Sequence, residues 1–209
     1  AGTGGGRSGG VSSDLGPAGR FRLMTQEGAP LPGGENIHSD AVVRYWNGKV
    51  YIVNRLNRDN IQTLDPEFAY RTVQEFSVGE KTNPHDIAFV NENRAYISLY
   101  ERDYLLVVDP STGTEIQRVS LAGFADPSDG IPEMSGMHLE GDRLYVAVQR
   151  LDRNNPEFIF PPTDFSSLVE IDAQSGSVLA EYRMQGKNPF SKLRVVLLDG
   201  ARHLYWSNP

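Results

Sequence analysis

Cysteine is absent from the 209 residues. Its absence excludes disulfides, thiolate metal centres, cysteine nucleophiles and covalently attached c-type haem, and it suits an exported bacterial protein. Apolar runs are short, and none approaches the roughly 18 residues that span a bilayer. The first residues show neither a charged start nor an apolar stretch, so no signal peptide is visible. Basic residues are the minority, 20 Lys and Arg against 27 Asp and Glu, for a net charge of −7. Nucleic acid is therefore not the expected partner, because phosphate binding draws on a basic surface. No stretch of three helical turns keeps an apolar face. Gly-x-Ser-x-Gly, a phosphate-binding glycine loop and His-Glu-x-x-His are missing as well. Gly4-Gly5-Gly6 follows no strand, and Ser135 beside Gly136 has no support as a nucleophile.

Hydrophobic residues still make up 39% of the chain, enough for a packed core. Residues 1–19, AGTGGGRSGGVSSDLGPAG, are dominated by Gly and Ser and read as a flexible tether. Two origins fit: the mature start of a bacterial lipoprotein, its lipid-bearing Cys just upstream, or an artificial linker.

The rest of the chain repeats itself. Residues 36–66, NIHSDAVVRYWNGKVYIVNRLNRDNIQTLDP, are echoed by 83–113, NPHDIAFVNENRAYISLYERDYLLVVDPSTG. Tyrosines 51, 96, 145 and 205 each follow a polar turn, at spacings of 45, 49 and 60 residues. Asp65, Asp109 and Asp172 close the third apolar run of each repeat. The third repeat is longer because of an insertion, roughly 154–164 (NNPEFIFPPTD). Matched landmarks at a period near 45 are the signature of a repeat architecture. Alternation of period two, as in Leu144 to Gln149, predicts strands, and Asn-Gly, Gly-Asp, Asp-Pro and Ser-Thr-Gly turns join them as hairpins. The expected strands lie near 40–45, 49–55, 60–65 and 71–77; 86–90, 94–100, 104–109 and 115–120; and 136–140, 143–149, 166–172 and 178–183.

Four strands per repeat, stacked side by side, is the plan of a β-propeller. One four-stranded sheet cannot cover both its faces, and neighbouring blades do so. The predicted fold is all-β, about three and a half blades at 36–82, 83–134, 135–187 and an incomplete 188–209. Residues 20–26 read as a lone strand of the kind that completes a last blade. The expectation is a part of a larger ring; the alternative is a closed four-bladed ring with a deficient last blade.

Particular residues extend this to a family. Leu168 to Gly176 (LVEIDAQSG) and Val107 to Gly113 (VVDPSTG), each followed or preceded by a strand, resemble the bacterial surface propellers named for a Tyr-Val-Thr-Asn motif. Asn83 to Phe89 is similar to the first strand of their blades. Phe124 to Asn154 resembles exported or lipoprotein propellers of unassigned function. The tetrad itself is only approximated, by Tyr51-Ile52-Val53-Asn54. The resemblance covers 36–209 and implies a seven- or eight-bladed parent, periplasmic or at the cell surface.

Four groups of residues invite a functional reading. His38, Asp40, Asn83, His85, Asp86, His138 and Asn188 stand near the starts of the innermost strands, where they would line the mouth of a central channel. His and carboxylates converging there could hold a divalent metal, as in lactonase-type propellers. Alternatively they bond to nearby backbone and shape the start of each strand. Asp126, Asp129 and Glu133 gather carboxylates near Gly130, a possible Ca²⁺ site or an ordinary turn. Arg55, Arg58, Arg102, Arg150 and Arg153 follow the second strands and form a basic rim beside Asp59, Asp103 and Asp152, suited to carboxylated ligands or to ion pairing between blades. Phe158, Ile159, Phe160 and Phe165 bring an apolar group into the insertion, either as a partner-binding patch or as a cap.

The expected function is a non-enzymatic exported binding or scaffold propeller, presenting rim loops to a protein or glycan. No cofactor is required by the sequence, and membrane association would come only through an upstream lipid anchor. The alternatives are a metal-dependent, lactonase-like hydrolase with an axial site, and a structural subunit that self-assembles through an edge strand at 202–207.

Overall fold

The computed structural model describes residues 8–13, 18–30, 34–157, 161–184, 186–189 and 192–206. They form two compact units, 1–83 and 84–209. In the first, β1 (Ser8–Ser13), β2 (Ala18–Met24) and β3 (Glu35–His38) make an antiparallel sheet in that order, and β4 (Val42–Trp46), β5 (Lys49–Asn54), β6 (Asn60–Asp65) and β7 (Arg71–Ser77) make a four-stranded meander. The second unit holds two more meanders. One comprises β8 (Pro84–Asn91), β9 (Arg94–Leu99), β10 (Tyr104–Asp109) and β11 (Thr114–Ser120). The other comprises β12 (Met134–Glu140), β13 (Arg143–Val148), β14 (Ser167–Asp172) and β15 (Val178–Arg183). A hairpin of β16 (Arg194–Leu198) and β17 (Ala201–Tyr205) follows.

The repeated phrase has a repeated physical cause. Each landmark tyrosine lies in a second strand: Tyr51 in β5, Tyr96 in β9, Tyr145 in β13 and Tyr205 in β17. Each landmark aspartate ends a third strand and turns the chain. The Asp65, Asp109 and Asp172 carboxylates accept the backbone N–H two residues on, at 2.9, 2.8 and 3.1 Å. Their own carbonyls accept a later N–H, from Tyr70, Gly113 and Gly176 at 2.8 Å each. In all three meanders the pairing of third and fourth strands shifts register one or two residues before that aspartate. Ser111 and Ser175 also donate to Asp109 and Asp172, which holds both carboxyls below the usual range. The two-residue turns Asn47-Gly48 and Asp199-Gly200 have positive φ at both positions, 43° and 80°, 50° and 76°, the left-handed geometry that matches strand twist.

Burial follows position in the sheet. β7 alternates strictly between exposed and half-buried, whereas β5 and β6 are buried at nearly every residue because both faces are covered. In the first unit Phe21, Ile37, Val50, Ile52 and Leu64 form a core between the two sheets. In the second, Tyr96, Leu105, Val107, Leu144, Val146, Val169 and Ile171 join the two meanders. Ala147, Leu168, Met184 and Leu193 carry the packing on to the hairpin, with Leu204 and Trp206 against them.

Two segments depart from the expectation. Residues 8–13, inside the stretch whose composition describes a tether, form β1 and pair along its length with β2, from Ser8 opposite Met24 to Ser13 opposite Gly19. Ladder hydrogen bonds are backbone bonds, so a Gly/Ser composition does not reveal them. The strand expected at 20–26 is β2, and it is not alone: β3 pairs on its other side, Ala18 opposite His38 to Phe21 opposite Glu35. Residues 1–7 and 14–17, the remainder of the expected tether before β2, lie outside the described residues.

Candidate functional site

In each meander the connection after the second strand meets the connection after the fourth. In the first unit those are 55–59 and 78–83. Asp59, 4% exposed, ties them together. Its Oδ1 accepts Asn83 N at 2.9 Å, its Oδ2 accepts Lys81 N at 2.7 Å, and its carbonyl accepts Val78 N at 2.9 Å. Asn83 Oδ1 closes the loop on Leu56 N at 3.3 Å. His38 ends β3 rather than opening a blade. Its N–H donates to buried Asn54 Oδ1 at 2.7 Å, and its Nδ1 accepts Asp40 N at 3.1 Å. Asp40 pairs with Arg55 at 3.4 Å.

The corresponding rim of the second unit is denser. The pairing of β8 and β9 shifts register between Pro84 and Asp86, which leaves His85 outside the ladder, and its ring stacks on Tyr100 at 4.4 Å. Asp86 is 1% exposed and links two sheets: Oδ2 accepts Met137 N at 2.9 Å, while Oδ1 accepts Ile87 N at 2.8 Å. Arg153 is the hub. Its Nε donates to Glu133 Oε1 at 2.5 Å, another nitrogen pairs with Glu101, a third reaches Tyr100 O at 3.2 Å, and its N–H donates to Asp129 Oδ2 at 3.2 Å. Glu133 is fully buried in a left-handed backbone conformation, φ 48°, and its other oxygen accepts Leu151 N at 2.8 Å. Burial pushes the Glu133 carboxyl up to about 7, against the opposing pull of Arg153.

Other expected site residues do not join this cluster. Arg102 donates to the carbonyl of its neighbour Glu101 at 2.7 Å. Arg150 donates to Ala125 O at 3.2 Å, lies 3.8 Å from Asp126 and covers the Phe165 ring at 4.2 Å, with Arg183 also on Phe165 at 4.1 Å. Phe165 therefore folds back between two guanidinium groups; Phe158, Ile159 and Phe160 lie outside the described residues. His138 does not stand at a strand start. It sits toward the β12–β13 hairpin, opposite Tyr145 and 3.5 Å from Glu140, and burial with Lys192 nearby lowers its pKa. Asn188 donates from its backbone to Ser166 Oγ at 2.8 Å.

The carboxylates of 126–133 do not suit a cation. Asp126 Oδ1 accepts Ser128 N at 3.0 Å, Asp129 Oδ1 accepts Ile131 N at 2.7 Å, and Glu133 is held by Arg153 and Leu151. Five of their six oxygens accept an N–H of the protein itself, and the sixth, Asp126 Oδ2, faces the Arg150 guanidinium at 3.8 Å. Among the described residues no three His, Asp or Glu side chains gather as metal ligands. Sequence reasoning missed Tyr100, Glu101 and Gln149. The Tyr100 hydroxyl donates to Gln149 Oε1 at 2.8 Å, and the only available signal was their position directly after second strands.

No family model matches the chain, and no curated protein matches it. Solved structures do. Saccharomyces cerevisiae Sqt1 is similar over 97% of this chain and 56% of its own, at a TM-score of 0.62 and 10% identity. The WD40 β-propeller domain of Doa1 is similar over 87% and 56%, at 0.53 and 10% identity. A protein of unknown function from Bacteroides caccae is similar over 85% and 64%, at 0.53 and 12% identity. With three four-stranded meanders and a further hairpin, the chain has the β-propeller fold, about three and a half to four blades of it. It spans less than two thirds of each of these structures.

Proposed function

We propose that this is a binding propeller without catalytic activity of its own, which presents its rim loops to a protein or glycan outside the cytoplasm. The proposal includes membership of the Tyr-Val-Thr-Asn-type surface propellers and export to the periplasm or cell surface, where any membrane attachment runs through a lipid anchor. The observation that carries it is the construction of the rim. Arg153 brings three connections, 100–103, 125–133 and 149–153, into one hydrogen-bonded body. Loops held rigid before binding lose less freedom on association, which favours recognition. The residues a hydrolase would use are committed elsewhere: Asp86 holds Met137, His85 stacks on Tyr100, and His138 lies toward the opposite end of its strand.

The test sets the two readings against each other. The purified chain is assayed for hydrolysis of a panel of lactones, and for binding to peptide and glycan arrays, with and without EDTA. Binding that persists in EDTA, with no turnover above background, is the expected result. Turnover that disappears in EDTA and in His85→Ala would establish the hydrolase instead.

A further inference from the structure

We propose that the rim of the first blade holds a recognition pocket for an acidic side chain of a partner protein's extended segment, with Arg58 as its anchor. This rests on the binding reading above and names the partner's chemistry. A cavity of roughly 310 Å³, the size of one side chain with its flanking backbone, lies in the first unit and is lined by Asn57, Arg58, Asp59, Ser77, Glu80 and Lys81.

Three observations converge on it. The first concerns charge. Asp59, the one buried carboxylate of the lining, already accepts the N–H groups of Lys81 and Asn83, and Glu80 and Lys81 each engage a partner. Among the described residues, no carboxylate or carbonyl pairs with the exposed Arg58 guanidinium. A planar five-donor fork at a preformed cavity matches a carboxylate, which it can bind through two parallel hydrogen bonds. The second is backbone strain. Leu56, Asn57, Asp59, Lys81 and Asn83 all have φ between 45° and 70°, so five of the twelve non-glycine residues with positive φ among the described residues belong to the two loops that flank this cavity. Residues other than glycine pay for that conformation, and such strain gathers where loops are shaped for contact. Asp59 holds both loops in that shape. The third is Leu56, a branched apolar residue in a left-handed conformation and 47% exposed beside the cavity. It offers an apolar contact to the residue next to the bound acid. A sugar would want an aromatic platform, and none of the six lining residues is aromatic. Residues 1–83 also carry nine Lys and Arg against nine Asp and Glu, so the unit opposes an acidic ligand with no net charge.

The experiment is a titration of the ¹⁵N-labelled full chain with an acetylated and amidated Leu-Glu-Leu tripeptide, its Leu-Gln-Leu analogue and glucuronate. The expected result is saturable shifts of the 56–59 and 77–83 amides by the acidic tripeptide, at least tenfold weaker binding of the glutamine analogue, and a tenfold or greater loss in Arg58→Ala. Arg58→Lys should retain part of the affinity, as a point charge without the fork. Because Arg58 is exposed, both variants should keep the dispersed spectrum of the folded chain. Shifts that map elsewhere and ignore Arg58→Ala would overturn this pocket while leaving the binding reading intact. Tighter saturation of the same amides by glucuronate would overturn the peptide assignment in favour of a glycan, and no response to the acidic tripeptide would overturn the pocket.

Discussion

Arg58 and Arg153 follow the second strands of the first and third four-stranded meanders, and their surroundings differ. Arg153 is enclosed by Glu133, Glu101 and the carbonyl of Tyr100. Arg58 is exposed at a cavity whose buried carboxylate already holds two backbone N–H groups. Charge separates the two regions as well. Residues 84–209 carry eleven Lys and Arg against eighteen Asp and Glu, the entire net charge of the chain, while 1–83 are balanced. One strand plan thus supports a rim closed on itself and a rim left open. The plan depends on strand landmarks and their turns, which leaves the rim connections free to diverge.

The largest effect should come from the closed rim. Arg153→Ala takes the cation from buried Glu133 and should destabilise the second unit by about 3 kcal/mol at pH 8, read from urea unfolding; that is the low end for a broken buried pair, because Glu133 can take up a proton instead. Next comes pH. The Glu133 carboxyl titrates near 7 in the folded protein, above its ordinary 4.5. Its folded state therefore holds the proton more tightly, and its contribution to stability is complete below about pH 4.5 and is lost as pH rises through 7. Unfolding midpoints measured from pH 4 to 8 should show this decline in the parent chain and lose it in Glu133→Gln.

Smaller effects belong to the open rim. Asp59→Ala strips the acceptor from two N–H groups and should cost about 2 kcal/mol, moderated because water reaches exposed Lys81; hydrogen exchange at Lys81 and Asn83 should accelerate. Arg58→Ala should change stability least, within about 0.5 kcal/mol, as for an exposed surface residue. Equal costs at Arg58 and Arg153 would abolish the distinction between the rims.

Much of the fold is legible because its signals are local. The alternation in 143–149, the Asn47-Gly48 turn and the aspartates at 65, 109 and 172 each act within a few residues, and the strands lie where they predict. β1 was not legible, since a glycine-rich strand is defined by the partner it pairs with, here β2. The site was legible only in pieces. Glu133 and Arg153 both stand out in the sequence, one as a candidate metal ligand and the other as a rim cation, and it took folding to bring them together across 20 residues. Glu101, 52 residues from Arg153, carried no signal of its own.

By itself the sequence determined the repeat, the strand periodicity, the turn chemistry and the lack of thiol chemistry, because each rests on neighbouring residues or on composition. Tertiary structure decided which carboxylates stay available and which are consumed. It turned the acidic loop at 126–133 from a possible cation site into the anchor of an arginine, and it left Arg58 facing an open cavity. The reason is the range of the forces involved. Hydrogen bonds and ion pairs form at contact distance, and contact between residues far apart in the chain exists only once the sheets have packed.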